Sequence, residues 1–232
     1  MNTSKLPIGI QSFRKIREGD LYYVDKTGFA LRLIDEGTHY FLSRPRRFGK
    51  SLFLDTLAEL FSGSRELFTG LAAEQQWDWS RRYPVIRISF GGGNVRESGA
   101  LGAKIRQQLT INQEALGLHC EDPTPDGCFA ELIRKAHAAT GQRVVVLVDE
   151  YDKPILDNLA KPELAREMRD GLRNLYSVIK DSDAHIRFAF LTGVSKFSKV
   201  SLFSGLNNLF DLTVASNYSA ICGYTEHDLD TV

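Results

Sequence analysis

Cysteine is scarce in this chain and badly spaced for stapling. There are three, Cys120, Cys128 and Cys222, an odd count without a C-x-x-C pair. That argues against a disulfide framework and against a structural zinc site. His119, Cys120, Cys128 and His137 can be assembled into a metal site on paper, but their spacing fits no standard ligand pattern. Charge of one sign is missing as well: 29 Lys and Arg against 29 Asp and Glu give a formal net charge of zero. Nothing at whole-chain level therefore marks a nucleic-acid or membrane-surface binder, and such contacts would need a local patch. No uncharged apolar run of about 18 residues is present, and "MNTSKLPIGIQSF" lacks the apolar core of a secretory signal. The expectation is a cytoplasmic protein without a membrane partner.

What the 232 residues do contain is an ordinary globular balance, 43% hydrophobic and 25% charged, enough for a large core in one domain. Five short apolar runs rich in β-branched or aromatic residues read as strands: "HYFLS" (39–43), "PVIRISF" (84–90), "RVVVLV" (143–148), "IRFAFLT" (186–192) and "FDLTV" (210–214). Helical patterns separate them, over Lys50–Phe61, Glu97–Leu116 and Lys161–Lys180. Alternation of this kind predicts an α/β fold with a parallel sheet and helices on both faces. "CEDPTPDGC" reads as a loop from its Pro, Asp and Gly content. "GYTEHDLDTV" has the signature of a helix start, with Thr225 as N-cap and Asp228 at the third helical position, so 225–232 is expected to begin a further helical segment, cut at a domain edge, the alternative being a frayed natural terminus.

Two motifs carry chemistry. "RPRRFGKSLFLDTL", Arg44 to Leu57, ends a strand and opens a helix with Gly-Lys-Ser, but Arg44 stands where the pattern G-x-x-x-x-G-K-[ST] has its first glycine. Backbone N–H groups at such a helix start point at an anion, so Arg46, Arg47, Phe48, Gly49, Lys50, Ser51 and Leu52 form the candidate phosphate cradle. Lys50 would reach the β and γ phosphates, and the Ser51 hydroxyl would ligate Mg2+. Pro45 fixes its own φ and pushes Arg44 toward extended geometry, so the loop entry should be stiff and without a left-handed turn there. Altered affinity follows more readily than lost binding, because the cradle amides are untouched.

The second motif, "VVVLVDEYDKP", delivers Asp149 and Glu150 at the C-terminal end of a buried strand, where open α/β sheets bind their ligands. Asp149 is the expected Mg2+ holder and Glu150 the expected general base. The competing reading has Asp149 merely capping the next helix. The strand beside the acidic one should end in a polar residue that senses the γ phosphate; Thr192 fills that place, with Ser195 close by. Among Arg44, Arg46 and Arg47, one arginine could approach the triphosphate, or Arg46 and Arg47 could pair with surface acids or a partner. Ile10, Phe13 or Tyr23 could contact a base, or pack the outer helix. A basic patch with Arg14, Lys15 and Arg17 lacks the stacking aromatics of a nucleic-acid site, Asp25 is placed to cap a helix near Thr27, and "SFGGGNV" reads as an ordinary strand-to-helix turn.

With "LPIGIQSFRKIREGDLYYVDKT", "RPRRFGKSLFLDTL", "VVVLVDEYDKPI", "LTGVSKFSKVSLFSGLNNLFDLT" and "CGYTEHDL", the chain resembles the AAA-ATPase-like domain of the P-loop NTPases, found mainly in bacterial proteins. The resemblance implies a three-layer sandwich with strand order 5-1-4-3-2, a core over 1–224, and residues 1–37 packed on or near the nucleotide site. It implies ATP and Mg2+ as ligands and an ATPase as the regulatory or motor half of a larger protein. Family members often continue into a restriction-nuclease-like C-terminal domain. The alternative is a nucleotide-gated interaction module with little turnover, controlling such a domain. A homo-oligomer is compatible with the family, and direct nucleic-acid binding by this half is not expected.

Overall fold

The computed structural model describes residues 5–93, 95–195, 202 and 209–230. Five parallel strands form one sheet: β1 (His39–Ser43), β2 (Val85–Ser89), β3 (Val144–Asp149), β4 (Ile186–Gly193) and β5 (Phe210–Asp211), in the spatial order β2-β3-β4-β1-β5. This is the 5-1-4-3-2 order that the family resemblance implies.

The sheet is covered on both faces, and β3 shows why. Successive side chains in a strand point to opposite faces. Val144, Val146 and Val148 enter one core, while Val145 and Leu147 enter the other. β1 splits in the same way, Phe41 to the first core and Tyr40 and Leu42 to the second. In β4 the pairing with β3 steps from Ile186 to Phe188 while β3 advances by one residue, so Arg187 is the extra residue of a bulge. The bulge changes the parity and lets Ile186 and Ala189 share a face, with Phe188 and Phe190 stacked on the other at 5° between ring planes.

The first face is packed by α5 (Ala100–Leu116), α6 (Pro125–Thr140) and α8 (Pro162–Asp181), the second by α1 (Phe13–Glu18), α2 (Thr27–Glu36) and α3 (Lys50–Ser62). α8 presents Met168, Leu172, Leu175 and Ile179 to the core at helical spacing. α6 begins inside the stretch read as a loop. Thr124 caps it by accepting from Gly127 N–H at 3.2 Å and Pro125 occupies its first turn, where a missing N–H costs nothing. α4 (Ala73–Gln76) and α7 (Lys153–Leu156) are single turns.

α1 is fastened to α3: the buried Asp55 carboxylate accepts from Phe13 N–H at 2.7 Å and from Arg87 at 2.6 Å. Phe13 is fully buried beside Tyr23 and Phe68, so it packs the outer helix and offers no surface to a base. Arg14 pairs with Glu18 and Glu59, and Arg17 donates to the Leu67 and Thr69 carbonyls, which spends two cations of the N-terminal patch on anchoring. Asp25 accepts from Thr27 N–H at 2.8 Å, but it stands one residue before the N-cap, Lys26, so it supports the start of α2 without capping it as expected. At the other end, Thr225 and Asp228 form a reciprocal capping box at the start of α9 (Glu226–Asp230). Among the described residues no helix is long and apolar enough to cross a membrane.

Candidate functional site

Because every strand runs the same way, the turns after β1, β3 and β4 all emerge at one edge of the sheet. β4 lies between β1 and β3, with Ser43 beside Gly193 and Val148 beside Leu191. This adjacency brings together residues that are about a hundred positions apart in the chain.

The turn after β1 runs from Arg44 to Gly49. Its amide at Arg44 donates to the Gly193 carbonyl at 3.2 Å, and the Arg44 guanidinium donates to the carbonyls of Ser43 at 3.1 Å and Thr213 at 2.7 Å. Arg44 thus braces the loop against the β5 exit. The left-handed backbone that a first glycine would supply stands later, at Arg47 with φ 65° and Gly49 with φ 84°. Arg46, Arg47, Phe48 and Gly49 are exposed, Ser51 and Leu52 half-buried at the start of α3. Lys50 is buried, and its ammonium donates to the carbonyls of Arg44 and Pro45 at 3.0 Å each. Burial lowers the Lys50 pKa, and Asp149 is the foremost charge opposing that shift.

Asp149 and Glu150 are half-buried at the end of β3. Asp149 Oδ1 accepts from Thr192 Oγ1 at 2.5 Å and from Glu150 N–H at 3.0 Å. It does not cap α7, which has no side-chain cap. Thr192, fully buried, is thereby tied to the acid, where it fixes the carboxylate's orientation. Glu150 sits in left-handed backbone with φ 52°, and burial, reinforced by Asp149, raises its pKa. A β-carbon on Gly91 would stand 3.4 Å from the Glu150 carboxyl carbon and from Ser89 Oγ, so the glycine loop after β2 borders this acid.

Two flanking features escape a motif-based reading. Tyr151 and Asp152, directly after the acidic pair, bind the loop leaving β4: Asp152 accepts from Val194 N–H and Ser195 N–H, and Tyr151 OH donates to the Ser195 carbonyl. The signal was the whole tetrad Asp-Glu-Tyr-Asp, of which only the first half follows a known pattern. The second feature is the segment 221–228. Gly223 lies against the Phe48 ring and within reach of Gly49, and Asp228 pairs with Lys26 at 3.1 Å. Buried Cys222 neighbours Arg44, Lys50 and Lys26, and burial pushes its thiol up to about 12. Only the folded chain brings this segment to the loop. After Ser195, positions 196–201 and 203–208 lie outside the described residues. His137, one of the paper metal ligands, instead shares a 2.9 Å hydrogen bond with His185, while Cys120 donates to the Cys128 carbonyl.

A family model described as predicted AAA-ATPase matches residues 7–203. The chain is 72% identical over 233 residues to a protein of Azotobacter chroococcum mcd 1 described as an uncharacterized protein in the vnfD 5' region. That alignment takes in 100% of this chain and 45% of the relative, so the chain spans less than half the relative's length. No solved structure matches it significantly.

Proposed function

The chain belongs to the AAA-ATPase-like family, and from that premise we propose that it binds ATP with Mg2+ at the shared exit of β1, β3 and β4 and hydrolyses it. The observation that carries this reading is the adjacency of the two turns across β4: Arg44 N–H, at the entry of the Gly-Lys-Ser turn, donates to the Gly193 carbonyl, and Thr192, one residue before it, donates to Asp149 Oδ1.

The donor set fits the ligands. The amides from Arg46 to Leu52 open a helix whose first N–H groups lack intrahelical acceptors, a suitable cradle for phosphate oxygens. Lys50 would exchange its two carbonyl partners for phosphate oxygens. Ser51 Oγ and Asp149, oxygen donors of the type Mg2+ prefers, would hold the ion, which when bound screens the phosphate charge. Thr192 occupies Asp149 Oδ1, so Oδ2 is the oxygen that would remain to hold the ion. Glu150, its basicity raised by burial and by Asp149, accepts a proton from the attacking water. Arg46, whose charge already acts on Glu150, is the cradle arginine best suited to meet developing negative charge.

Phosphate release by the purified chain, with Glu150→Gln as control, tests the reading. Wild-type turnover no faster than that of the variant would remove hydrolysis from it. A second reading, a nucleotide-gated module with little turnover, draws on the two bonds that Lys50 must give up before it can serve a phosphate. Calorimetry separates the two: heat on adding ATP and Mg2+ without phosphate release favours the module, and no heat ends both. In either case we assign the chain to the regulatory or motor half of a longer protein, in keeping with a relative more than twice as long. The nuclease-like partner domain and the homo-oligomer expected from the resemblance belong to the same proposal.

A further inference from the structure

The three cysteines are buried and unbridged, and the proposed reaction uses none of them. Cys222 belongs to the second core, whereas Cys120 and Cys128 share the first. The segment between those two, "EDPTPDG", is folded back on the start of α6. Glu131 accepts from the N–H groups of Glu121 at 2.8 Å and Asp122 at 3.0 Å. The Asp122 carboxylate comes so near Gly127 that a β-carbon there would stand 2.2 Å from it.

Residue 120 is thereby brought onto residue 128. Cys120 Sγ donates to the Cys128 carbonyl at 3.2 Å. A single side chain spans both cysteines: Gln113 accepts from Cys120 N–H at 2.6 Å and donates to Cys128 Sγ at 3.7 Å. Nor is the pair sealed in, for each keeps 8% of its surface exposed and both line an open cleft of about 530 Å³, together with Arg106 and His119. The two thiols are not equivalent. Burial raises both, Cys120 to about 12, and the hydrogen bond between them raises Cys120 further while opposing the rise at Cys128. Cys128 also lies in the first turn of α6, where backbone N–H groups favour a thiolate, so the first ionisation falls there.

We propose that Cys120 and Cys128 are a redox pair, oxidised to an intramolecular disulfide by a low-molecular-weight disulfide of the glutathione type that enters the cleft. The Cys128 thiolate attacks one sulfur of the oxidant, forming a mixed disulfide and releasing one thiolate, which takes up the proton that Cys128 lost. Cys120 Sγ then attacks the Cys128 sulfur, its proton leaving with the second thiol. The chain gives up two electrons and two protons, the oxidant gains both, and an excess of reduced thiol runs the exchange backward. The pair stands independently of the nucleotide reading.

The test treats the folded full chain with glutathione disulfide, counts thiols and maps peptides under non-reducing conditions. Two of the three thiols should be lost, the mapped bond should join Cys120 to Cys128, and excess reduced glutathione should return both. Cys120→Ser should stop at a mixed disulfide on position 128, and Cys128→Ser should slow thiol loss about tenfold. Retention of all three thiols overturns the proposal. So does a bond to Cys222 or to a second chain, or thiol loss that needs urea to unfold the chain first. Should either serine variant not fold, the wild-type peptide map decides alone.

Discussion

The turns leaving β1 and β3 use the same unusual backbone for opposite ends. Each carries a non-glycine residue in the left-handed region, Arg47 at φ 65° and Glu150 at φ 52°. For such residues that conformation costs roughly 1–2 kcal/mol. In the first turn the strained residue is exposed, and the buried cation beside it is satisfied at home by the Arg44 and Pro45 carbonyls. In the second, the strained residue is itself a half-buried acid next to another acid, and both influences raise its pKa. The β1 turn is thus folded around its own lysine. The β3 turn is held in an unfavourable state by its surroundings, the condition in which strain serves a site.

The largest expected effect breaks the second turn's chemistry. Glu150→Gln removes the base and should lower phosphate release by about a hundredfold to ten-thousandfold, with ATP binding retained. The pH dependence sharpens the same point. Because the folded-state pKa of Glu150 is raised, wild-type turnover should fall with acid at a higher pH than an ordinary glutamate with pKa 4.5 would dictate. For stability the sign is opposite: the favourable contribution of protonated Glu150 is present below 4.5 and is lost as pH rises through the raised value. The Gln variant should therefore melt higher than wild type at neutral pH, with the gap closing in acid. A gap that widens in acid would refute the raised pKa of this residue.

Next in size is the support behind that turn. Asp152→Ala leaves the N–H groups of Val194 and Ser195 without their buried acceptor, so a loss of about 2–5 kcal/mol in denaturant unfolding is expected. A loss under about 1 kcal/mol would mean that the loop after β4 is held by something other than the acid.

How much of this was legible follows the same division. β1 is "HYFLS" in both sequence and structure, and β3 differs from "RVVVLV" by one residue at each end, because unbroken aliphatic runs leave a buried strand few alternatives. The Gly-Lys-Ser turn and the acid pair were readable for the same reason, as local patterns beside strong strands. α6 was not, since Thr124, Pro125 and Gly127 satisfy a turn and a helix start equally well until Phe129, Leu132 and Ile133 are seen to face the core. Asp152 was invisible because its partners lie more than forty residues away. The 221–228 segment was read only as a helix start, for the same cause, since sequence order says nothing of Gly223 meeting Phe48. Arg44 and Pro45 carry no left-handed backbone, as expected, but the left-handed residue further on had no sequence mark, because arginine at position 47 contradicts the usual glycine preference.

The smallest effect tests the first turn by itself. Arg47→Gly removes the steric cost of left-handed backbone, while glycine adds roughly 0.5–1 kcal/mol of unfolded-state entropy, so the net gain should be about 0.5–1 kcal/mol. For a chain of this length that is a rise of about 1–4 °C in Tm. Glu150→Gly relieves the same conformation and also removes a half-buried acid, so its gain should exceed that of Arg47→Gly. The excess should shrink as pH falls through the raised pKa of Glu150, where the folded chain takes up that proton. If the two variants gain equally at neutral pH, then only backbone geometry distinguishes these turns from ordinary ones, and the electrostatic contrast between them is not real. If Arg47→Gly gains nothing, the exposed arginine is earning its conformation through contacts in the cradle, and the β1 turn is as strained for function as its neighbour.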